Sequence, residues 1–299
     1  MTQDNSSDLE LKELHANGLQ FSYLESGLPE QPLVIVLHGF PDTAWSFVEL
    51  IHLIAAAGYR VVAPMLRGYT SGAVPVDGDY SVPTLGRDVV AIADALGAPK
   101  CYVIGHDWGA AAAYAAAGLH PERVERLVTV SVPHLRRFLF RPTVRQTKAS
   151  HYIYKFQVPG WPERRIPKDD FSWLRALAES WSPGWQAPDA YFEPVRRTLS
   201  DPRLLRAALG YYRALPALYV DRTAWRHVFQ PLRVPTQVIH GADDRCILPA
   251  AYRGAESLFP AGYRAVEMPG AGHFLHLEAP SRLAETIVDF LDAPSPAPE

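Results

Sequence analysis

This 299-residue sequence has little net charge, only two cysteines and no long apolar run. The 29 Lys and Arg residues face 32 Asp and Glu residues, so the net charge of -3 does not indicate binding to nucleic acid or an anionic membrane. Cys101 and Cys246 have no metal-ligand spacing and are expected to be buried free thiols. No segment approaches the roughly 18 apolar residues of a membrane span, and the polar N-terminus lacks a signal-peptide core. These absences favour a soluble, cytoplasmic protein that acts on a small molecule.

Short apolar runs alternate with helical patterns along most of the chain. After a polar lead, residues 19–26 alternate like a strand at the edge of a sheet, whereas residues 33–37 form a continuous run typical of a buried parallel strand. Further strands are predicted at 59–63, 102–104, 127–130, 237–239 and 263–266, and helices at 47–57, 84–96, 110–119 and 281–291. This alternation predicts an α/β fold with a mostly parallel sheet flanked by helices.

The region 134–226 interrupts this alternation. It contains five of the seven tryptophans and many arginines and prolines, but no clear strand run. We interpret it as a helical cap inserted between two strands of one core, whose two parts are residues 1–133 and 227–299. The last seven residues, APSPAPE, have the composition of a disordered tail.

The segment Gly105-His-Asp107-Trp-Gly109 lies between an apolar strand and an alanine-rich helix. It is similar to the nucleophile elbow of α/β-hydrolases, with aspartate in place of the usual serine. An aspartate that attacks an sp3 carbon forms an ester, which water can reopen at its carbonyl, whereas a serine would leave a stable ether. Asp107 therefore indicates substrates such as epoxides or alkyl halides.

Likeness to this fold also suggests the remaining catalytic groups. The loop His38-Gly-Phe40-Pro follows a buried strand, so the backbone amides of Phe40 and Trp108 are the expected oxyanion donors. His273 stands late in the chain, where the fold places its histidine, and His276 is interpreted as structural. Asp243 and Asp244 are both candidates for the acid that orients the histidine, and the spacing from the preceding glycine favours Asp244.

Over nearly its whole length the sequence resembles the epoxide hydrolases of the α/β-hydrolase fold. The motifs that carry this resemblance are HGFP at 38–41, GHDWGA at 105–110 and GHFLHLEAP at 272–280. Two cap segments resemble the tyrosine motifs of the family, and the matching positions are Tyr152, four residues before Phe156, and Tyr212. The resemblance implies that Asp107 attacks an epoxide while both tyrosines protonate its oxygen, and that His273 then activates water. Phe40, Trp108 and Phe156 would contact the substrate.

Two other functions remain open at this point. Haloalkane and fluoroacetate dehalogenases share the aspartate, but the former usually carry a halide-binding asparagine where Phe40 stands, and the latter an arginine where Trp108 stands. A second alternative is a binding protein that keeps this fold without turnover, although such a protein need not retain a complete triad and two tyrosines. We expect no metal or organic cofactor, and the protein is expected to be a monomer or a homodimer.

Overall fold

A computed structural model of the chain describes residues 9–294, so most of the predicted C-terminal tail lies outside the described residues. Its eight-stranded sheet has the order β1-β2-β4-β3-β5-β6-β7-β8. β1 and β2, and β2 and β4, pair antiparallel, and the remaining pairs are parallel. The strands are β1 Lys12–Ala16, β2 Leu19–Ser26, β3 Leu33–Leu37, β4 Arg60–Pro64, β5 Cys101–His106, β6 Val124–Val130, β7 Thr236–Gly241 and β8 Tyr263–Met268.

Helices connect and cover these strands, as the apolar pattern predicts. Those of the core are α1 Val48–Ala56, α2 Val82–Ala95, α3 Trp108–Leu119, α11 Leu275–Glu278 and α12 Pro280–Leu291. The predicted α/β fold with a mostly parallel sheet is confirmed. Within residues 9–294, no helix combines the length and the apolar character that crossing a membrane requires.

One strand was not predicted, and its presence changes the interpretation of its neighbour. The segment KELHA forms β1, although the sequence indicates only a polar lead there, because three of its five residues are exposed and give no apolar alternation. β1 pairs with one side of β2 and β4 pairs with the other. The predicted edge position of β2 is therefore wrong, and β1 forms that edge.

Between β6 and β7 the chain is helical, and no strand lies there in the described structure. The bounds of the predicted cap stay a prediction, but its region contributes helices that contain both predicted tyrosines. These helices are α4 Leu135–Phe140, α5 Val144–Ala149, α6 His151–Phe156, α7 Trp161–Arg165, α8 Lys168–Trp181, α9 Asp189–Leu199 and α10 Pro202–Leu218.

The parallel strands bring distant parts of the sequence to one edge of the sheet. His38 follows β3, Asp107 follows β5, Asp244 lies shortly after β7 and His273 lies in the loop after β8. Because parallel strands end on the same side, all four loops meet there, as ligand-binding loops do in open α/β sheets. The fold therefore places the candidate site at the carboxyl ends of the strands.

Candidate active site

Asp107 lies at a sharp turn between β5 and α3, with φ 51° and ψ -117°. Few residues other than glycine adopt a positive φ, so the surrounding structure must hold this conformation. The two flanking glycines are required by space. A Cβ atom on Gly105 would collide with the backbone of Gly109, and one on Gly109 would collide with the carbonyl of Leu37. The glycine spacing thus allows a reactive side chain to stand at the end of the strand.

The loop after β3 contacts the carboxylate directly. The backbone amide of Phe40 donates a hydrogen bond to Oδ1 of Asp107 over 2.8 Å. A Cβ atom on Gly39 would overlap the Asp107 side chain, so only glycine permits this approach. Trp108 begins α3, and the first N–H groups of a helix have no partner inside that helix. The Phe40 amide thus bonds to the Asp107 carboxylate, and the Trp108 amide belongs to the residue directly after Asp107. Both predicted oxyanion donors therefore lie at the site.

His273 lies between two carboxylates. Its Nδ1 is 2.9 Å from Oδ2 of Asp244, and its Nε2 is 3.7 Å from Oδ2 of Asp107. Asp244 is buried, and its Oδ1 also accepts hydrogen bonds from the backbone amides of Cys246 and Ile247. Asp243 is exposed. The geometry thus favours Asp244 over Asp243 as the acid that orients the imidazole.

The charges of this group support one another. Burial alone would raise the pKa of Asp107, but His273, whose Nε2 lies 3.7 Å away, holds it below its ordinary value together with His106 and the Phe40 amide. Burial alone would lower the pKa of His273, yet the negative groups around it, Cys246 when ionised and the two carboxylates, raise it well above 6.5. Since burial raises the pKa of the Cys246 thiol, that thiol is neutral at neutral pH and the carboxylates supply the effect. Asp107 is therefore ionised at neutral pH, and the two carboxylates favour the protonated form of His273.

Tyr152 of α6 and Tyr212 of α10 line the same cavity of about 50 Å³ as Asp107. Their rings lie 5.9 Å apart, and burial raises the pKa of each phenol well above 10.0, so both stay protonated at neutral pH. The Tyr212 hydroxyl is buried and has no hydrogen-bond partner among the described residues. Phe156 packs edge-on against the Phe40 and Tyr212 rings at 5.4 Å and 4.9 Å. The structure thus brings all the predicted site residues together.

Comparison with known proteins identifies the family of this site. The alpha/beta hydrolase fold family matches residues 32–280. The chain is 30% identical to epoxide hydrolase 4 of Homo sapiens over 92% of this chain and 76% of the human protein. The chain belongs to the epoxide hydrolase family. It is also 29% identical to epoxide hydrolase A of Mycobacterium tuberculosis, over 92% of this chain and 95% of that protein. The crystal structure of epoxide hydrolase A from Mycobacterium thermoresistibile superposes with a TM-score of 0.81 at 26% identity, covering 95% of this chain and 98% of that one.

Cys246 lies at the candidate active site of this epoxide hydrolase, a location that the sequence did not predict. Both cysteines are buried free thiols, as predicted. The sulfur of Cys246, however, lies 3.4 Å from the Tyr152 hydroxyl, within hydrogen-bonding range for sulfur. Its position two residues after Asp244 is the only sequence signal for this location. Tyr152 therefore has a polar neighbour, whereas the Tyr212 hydroxyl has none among the described residues.

A second group missed from the sequence lies beneath the triad. Oδ2 of Asp42 is 3.0 Å from Nε2 of His276 and 3.3 Å from Nδ1 of His106, while its Oδ1 accepts the Tyr191 hydroxyl at 2.8 Å. Nε2 of His106 in turn lies 2.9 Å from the carbonyl oxygen of His273. Burial opposes ionisation of Asp42, but His276 and His106 hold its pKa far below the ordinary value. The group therefore ties the HGFP loop to the histidine loop, consistent with the structural role predicted for His276.

The same three side chains offer the one cluster of metal-ligand type in the described part of the chain, with their ligand atoms within 4.8 Å of one another. Asp42 is already shared by both imidazoles, and Tyr191 occupies its other oxygen. Burial lowers the pKa of His276 to about 4, against the opposing pull of Asp42, so its imidazole is neutral at pH 7. Both carboxylate oxygens of Asp42 thus contact other side chains of the protein, Oδ2 the two imidazoles and Oδ1 the Tyr191 hydroxyl.

Proposed function

We propose that this protein hydrolyses epoxides to vicinal diols through a covalent ester on Asp107. The observation that carries the proposal is a buried carboxylate in one small cavity with two protonated phenols. The carboxylate is suited to attack carbon, and the phenols are suited to accept and protonate the oxygen that leaves. The names of the human and mycobacterial relatives support the same activity.

The first step opens the ring. Oδ1 of Asp107 accepts the Phe40 amide, so we assign the attack to Oδ2. A bond forms between Oδ2 and an epoxide carbon while the ring carbon–oxygen bond breaks. Tyr152 or Tyr212 donates its proton to that oxygen, and the resulting tyrosinate regains one from the His273 imidazolium through solvent. The product is a hydroxyalkyl ester of Asp107.

The second step hydrolyses this ester. Once Asp107 is an ester it carries no charge, so one of the groups that raise the pKa of His273 is lost. Its proton passes to the tyrosinate, and the neutral imidazole then accepts a proton from water, whose oxygen attacks Cγ of Asp107. Oδ1 becomes the oxyanion, held by the amides of Phe40 and Trp108. The bond between Cγ and Oδ2 breaks, and the alkoxide takes the proton from His273 and leaves as the diol. The carboxylic acid that remains on Asp107 passes its proton to His273, which restores the resting state.

The proposed substrate class distinguishes this protein from the dehalogenases. Release of a halide needs a hydrogen-bond donor for the anion but no general acid. At the position where haloalkane dehalogenases usually carry the halide-binding asparagine, the side chain of Phe40 offers only an apolar ring. A panel of styrene oxide, fluoroacetate and chloroalkanes tests the assignment. We expect diol from the epoxide and no halide from the others, and halide release without diol formation would contradict the proposal.

Replacing the cap tyrosines by phenylalanine tests the acid role. Tyr152→Phe and Tyr212→Phe are each expected to lower kcat/KM for epoxides by roughly 10²-fold, and the double variant by roughly 10⁴-fold. Because the Tyr212 hydroxyl has no described partner, Tyr212→Phe should not lower the melting temperature. Tyr263→Phe, on the distant strand β8, is the matched control and should keep parent rates. Parent activity in the double variant would remove the tyrosines from the mechanism.

The pKa shifts predict different pH profiles for the two steps. Ester formation needs ionised Asp107 and protonated tyrosines, whose pKa values lie below 3.8 and well above 10.0 respectively. Its rate, measured in single turnovers, should therefore be flat from about pH 5 to pH 9. Ester hydrolysis needs neutral His273. Asp244 still raises the pKa of this imidazole when Asp107 is an ester, so the rate of ester hydrolysis should increase with pH across part of this range. An alkaline fall in ester formation below pH 9 would contradict the assignment.

Several further assignments follow from the proposal. The helical region between β6 and β7 acts as a cap that supplies Tyr152, Tyr212 and Phe156 to the cavity. The substrate is a small molecule held against Phe40, Trp108 and Phe156, and the chemistry draws on no cofactor. Location in the cytoplasm and a monomeric or dimeric state stay predictions.

A further inference from the structure

We propose that one exposed face of the helical region between β6 and β7 binds the surface of an anionic lipid membrane. The face combines aromatic rings with cationic side chains, and it spans the end of α4, helix α5, the end of α10 and the helical turn Ala224–Val228. We call it the basic aromatic face and define it by Phe140, Tyr219, Trp225, Arg141, Arg145 and Arg226. All six side chains are exposed. The inference involves none of the catalytic groups and is independent of the proposed function.

Charge of a single sign is concentrated in this region. Between Glu125 and Glu163 the sequence contains seven Lys or Arg residues and no Asp or Glu, although acidic residues outnumber basic ones over the whole chain. Within residues 9–294, no carboxylate forms an ion pair with Arg141, Arg145 or Arg226. The small net charge of the chain therefore conceals a cationic surface, and such a surface is complementary to an anionic partner.

Three aromatic rings from separate segments lie together on the face. The ring of Phe140 at the end of α4 is 5.4 Å from that of Tyr219, directly after α10, and 5.1 Å from that of Trp225. These three side chains are 37%, 43% and 44% exposed, respectively. Arg141 follows Phe140 and Arg226 follows Trp225 in the sequence. Exposed cations therefore flank an exposed aromatic cluster.

The apolar surface extends beyond these rings. Seven of the ten large hydrophobic residues that are exposed in the described chain lie between β6 and β7. Among the seven, Tyr154 of α6 and Tyr219 line one surface pocket of about 360 Å³, together with Pro142 and Thr147. The exposed apolar side chains of neighbouring helices therefore adjoin one another. Soluble proteins rarely expose contiguous apolar patches unless the patch binds something.

Hydrogen bonding favours a membrane over an acidic protein as the partner. Nε1 of Trp225 donates to the carbonyl of Tyr219 at 2.7 Å, and the Tyr219 hydroxyl donates to the carbonyl of Leu139 at 3.5 Å. The nearby carboxylate of Asp221 accepts two backbone amides of the following turn. These polar groups are thus engaged within the protein, and the face offers mainly carbon and cations.

A specific protein interface forms about one hydrogen bond per 100–200 Å², and this face has few free groups to form them. Lipid hydrocarbon requires no hydrogen bonds, and anionic head groups attract Lys and Arg without a fixed geometry. Trp and Tyr are also enriched where a membrane meets water. An anionic lipid surface therefore fits both the apolar and the cationic part of the face.

Binding to lipid vesicles tests the inference on the intact protein. The vesicles consist either of phosphatidylcholine alone or of equal parts of phosphatidylcholine and phosphatidylglycerol, and sedimentation separates bound from free protein. We expect a partition coefficient at least roughly 25-fold higher on the anionic vesicles, since each cation near the surface contributes roughly a factor of five. Raising the salt concentration from about 0.1 M to about 1 M should remove most of this difference, because the screening length falls from roughly 10 Å to roughly 3 Å. Equal binding to both kinds of vesicle would overturn the inference.

Two charge-reversal double variants locate the contact. Arg141→Glu with Arg226→Glu removes two cations of the face, so binding to anionic vesicles should weaken by at least roughly 25-fold. Lys100→Glu with Arg233→Glu is the matched control. Both of its residues are exposed and precede β5 and β7, at the opposite edge of the sheet, and the change of net charge is the same. The control should bind like the parent, and equal losses in the two double variants would contradict the assignment of the face.

A tryptophan substitution tests the apolar part of the face. Val220, directly after Tyr219, is 81% exposed, so a larger side chain there meets solvent rather than the protein. Val220→Trp should bind anionic vesicles at least roughly threefold more tightly, because the added indole enters the membrane interface. Leu28→Trp, at an exposed position after β2 and on the side of the amino end of β4, should bind like the parent. No gain in Val220→Trp, or the same gain in Leu28→Trp, would overturn the inference.

Two other occupants of the face give different results. Light scattering without vesicles detects a second copy of the chain, and poly-L-glutamate serves as the probe for an acidic protein. A dimer that Arg141→Glu with Arg226→Glu dissociates, in a protein that does not bind anionic vesicles, would overturn the membrane assignment. Binding of poly-L-glutamate without binding of vesicles would do the same. Because vesicle binding is measured without an epoxide, failure of the proposed function leaves this test intact.

Discussion

Asp107→Asn is expected to lower kcat for epoxide hydrolysis by roughly 10⁴-fold or more, because the amide is a far poorer nucleophile than the carboxylate. Asparagine is the closest replacement in shape, and it tolerates a positive φ better than most residues. The strained backbone at φ 51° should therefore be retained. Initial rates of diol formation from styrene oxide, with circular dichroism to check folding, measure the effect.

The matched control is Asp243→Asn. Asp243 is adjacent to the acid that orients the histidine but is exposed, so this variant should keep parent rates. A folded Asp107→Asn protein that retains more than a few per cent of parent activity would show that another group attacks the epoxide. Loss of activity in Asp243→Asn, with Asp244→Asn active, would exchange the roles assigned to the two aspartates.

His273→Gln is expected to divide the reaction into its two steps. Ester formation needs only Asp107 and the tyrosines, whereas ester hydrolysis needs a base, whose removal costs roughly 10²- to 10⁴-fold. The variant should therefore accumulate the ester. Addition of an epoxide to a carboxylate loses no atoms, so the protein mass should increase by the full mass of the epoxide. Intact-protein mass spectrometry detects this increase, and peptide mapping locates it.

The expected location of the adduct is Asp107, and the Asp107→Asn, His273→Gln double variant should form none. His15→Gln, an exposed histidine on β1, should turn over normally and show no adduct. An adduct on Cys246 instead would make the thiol the nucleophile, since its sulfur lies beside the Tyr152 hydroxyl. Normal turnover by His273→Gln would remove the histidine from the mechanism.

Local steric and apolar patterns explain how much of the fold could be predicted from the sequence. β3 is a continuous apolar run because both faces of the strand are covered, and the elbow needs glycines because side chains there would collide with backbone. These requirements act over a few residues and are visible in a single chain. β1 was missed because an exposed edge strand can be almost entirely polar.

The remaining site features depend on packing between distant segments. Asp243 and Asp244 are adjacent in one loop, and only the fold shows that one is exposed while the other meets His273, 29 residues later. Asp42 follows the HGFP loop without any local sign that it will be buried between His106 and His276. A pocket of about 360 Å³ likewise arises where helices α4, α5, α6 and α10 meet, which no spacing in the sequence reveals.

A single turnover in water labelled with oxygen-18 tests the central claim most directly. With the enzyme in excess over the epoxide, the oxygen added to the diol comes from Oδ2 of Asp107, and water oxygen replaces it in the carboxylate. We predict an unlabelled diol, and a gain of one oxygen-18 in the peptide that contains Asp107. A diol labelled in that first turnover, with an unlabelled peptide, would show direct attack by water and contradict the covalent mechanism.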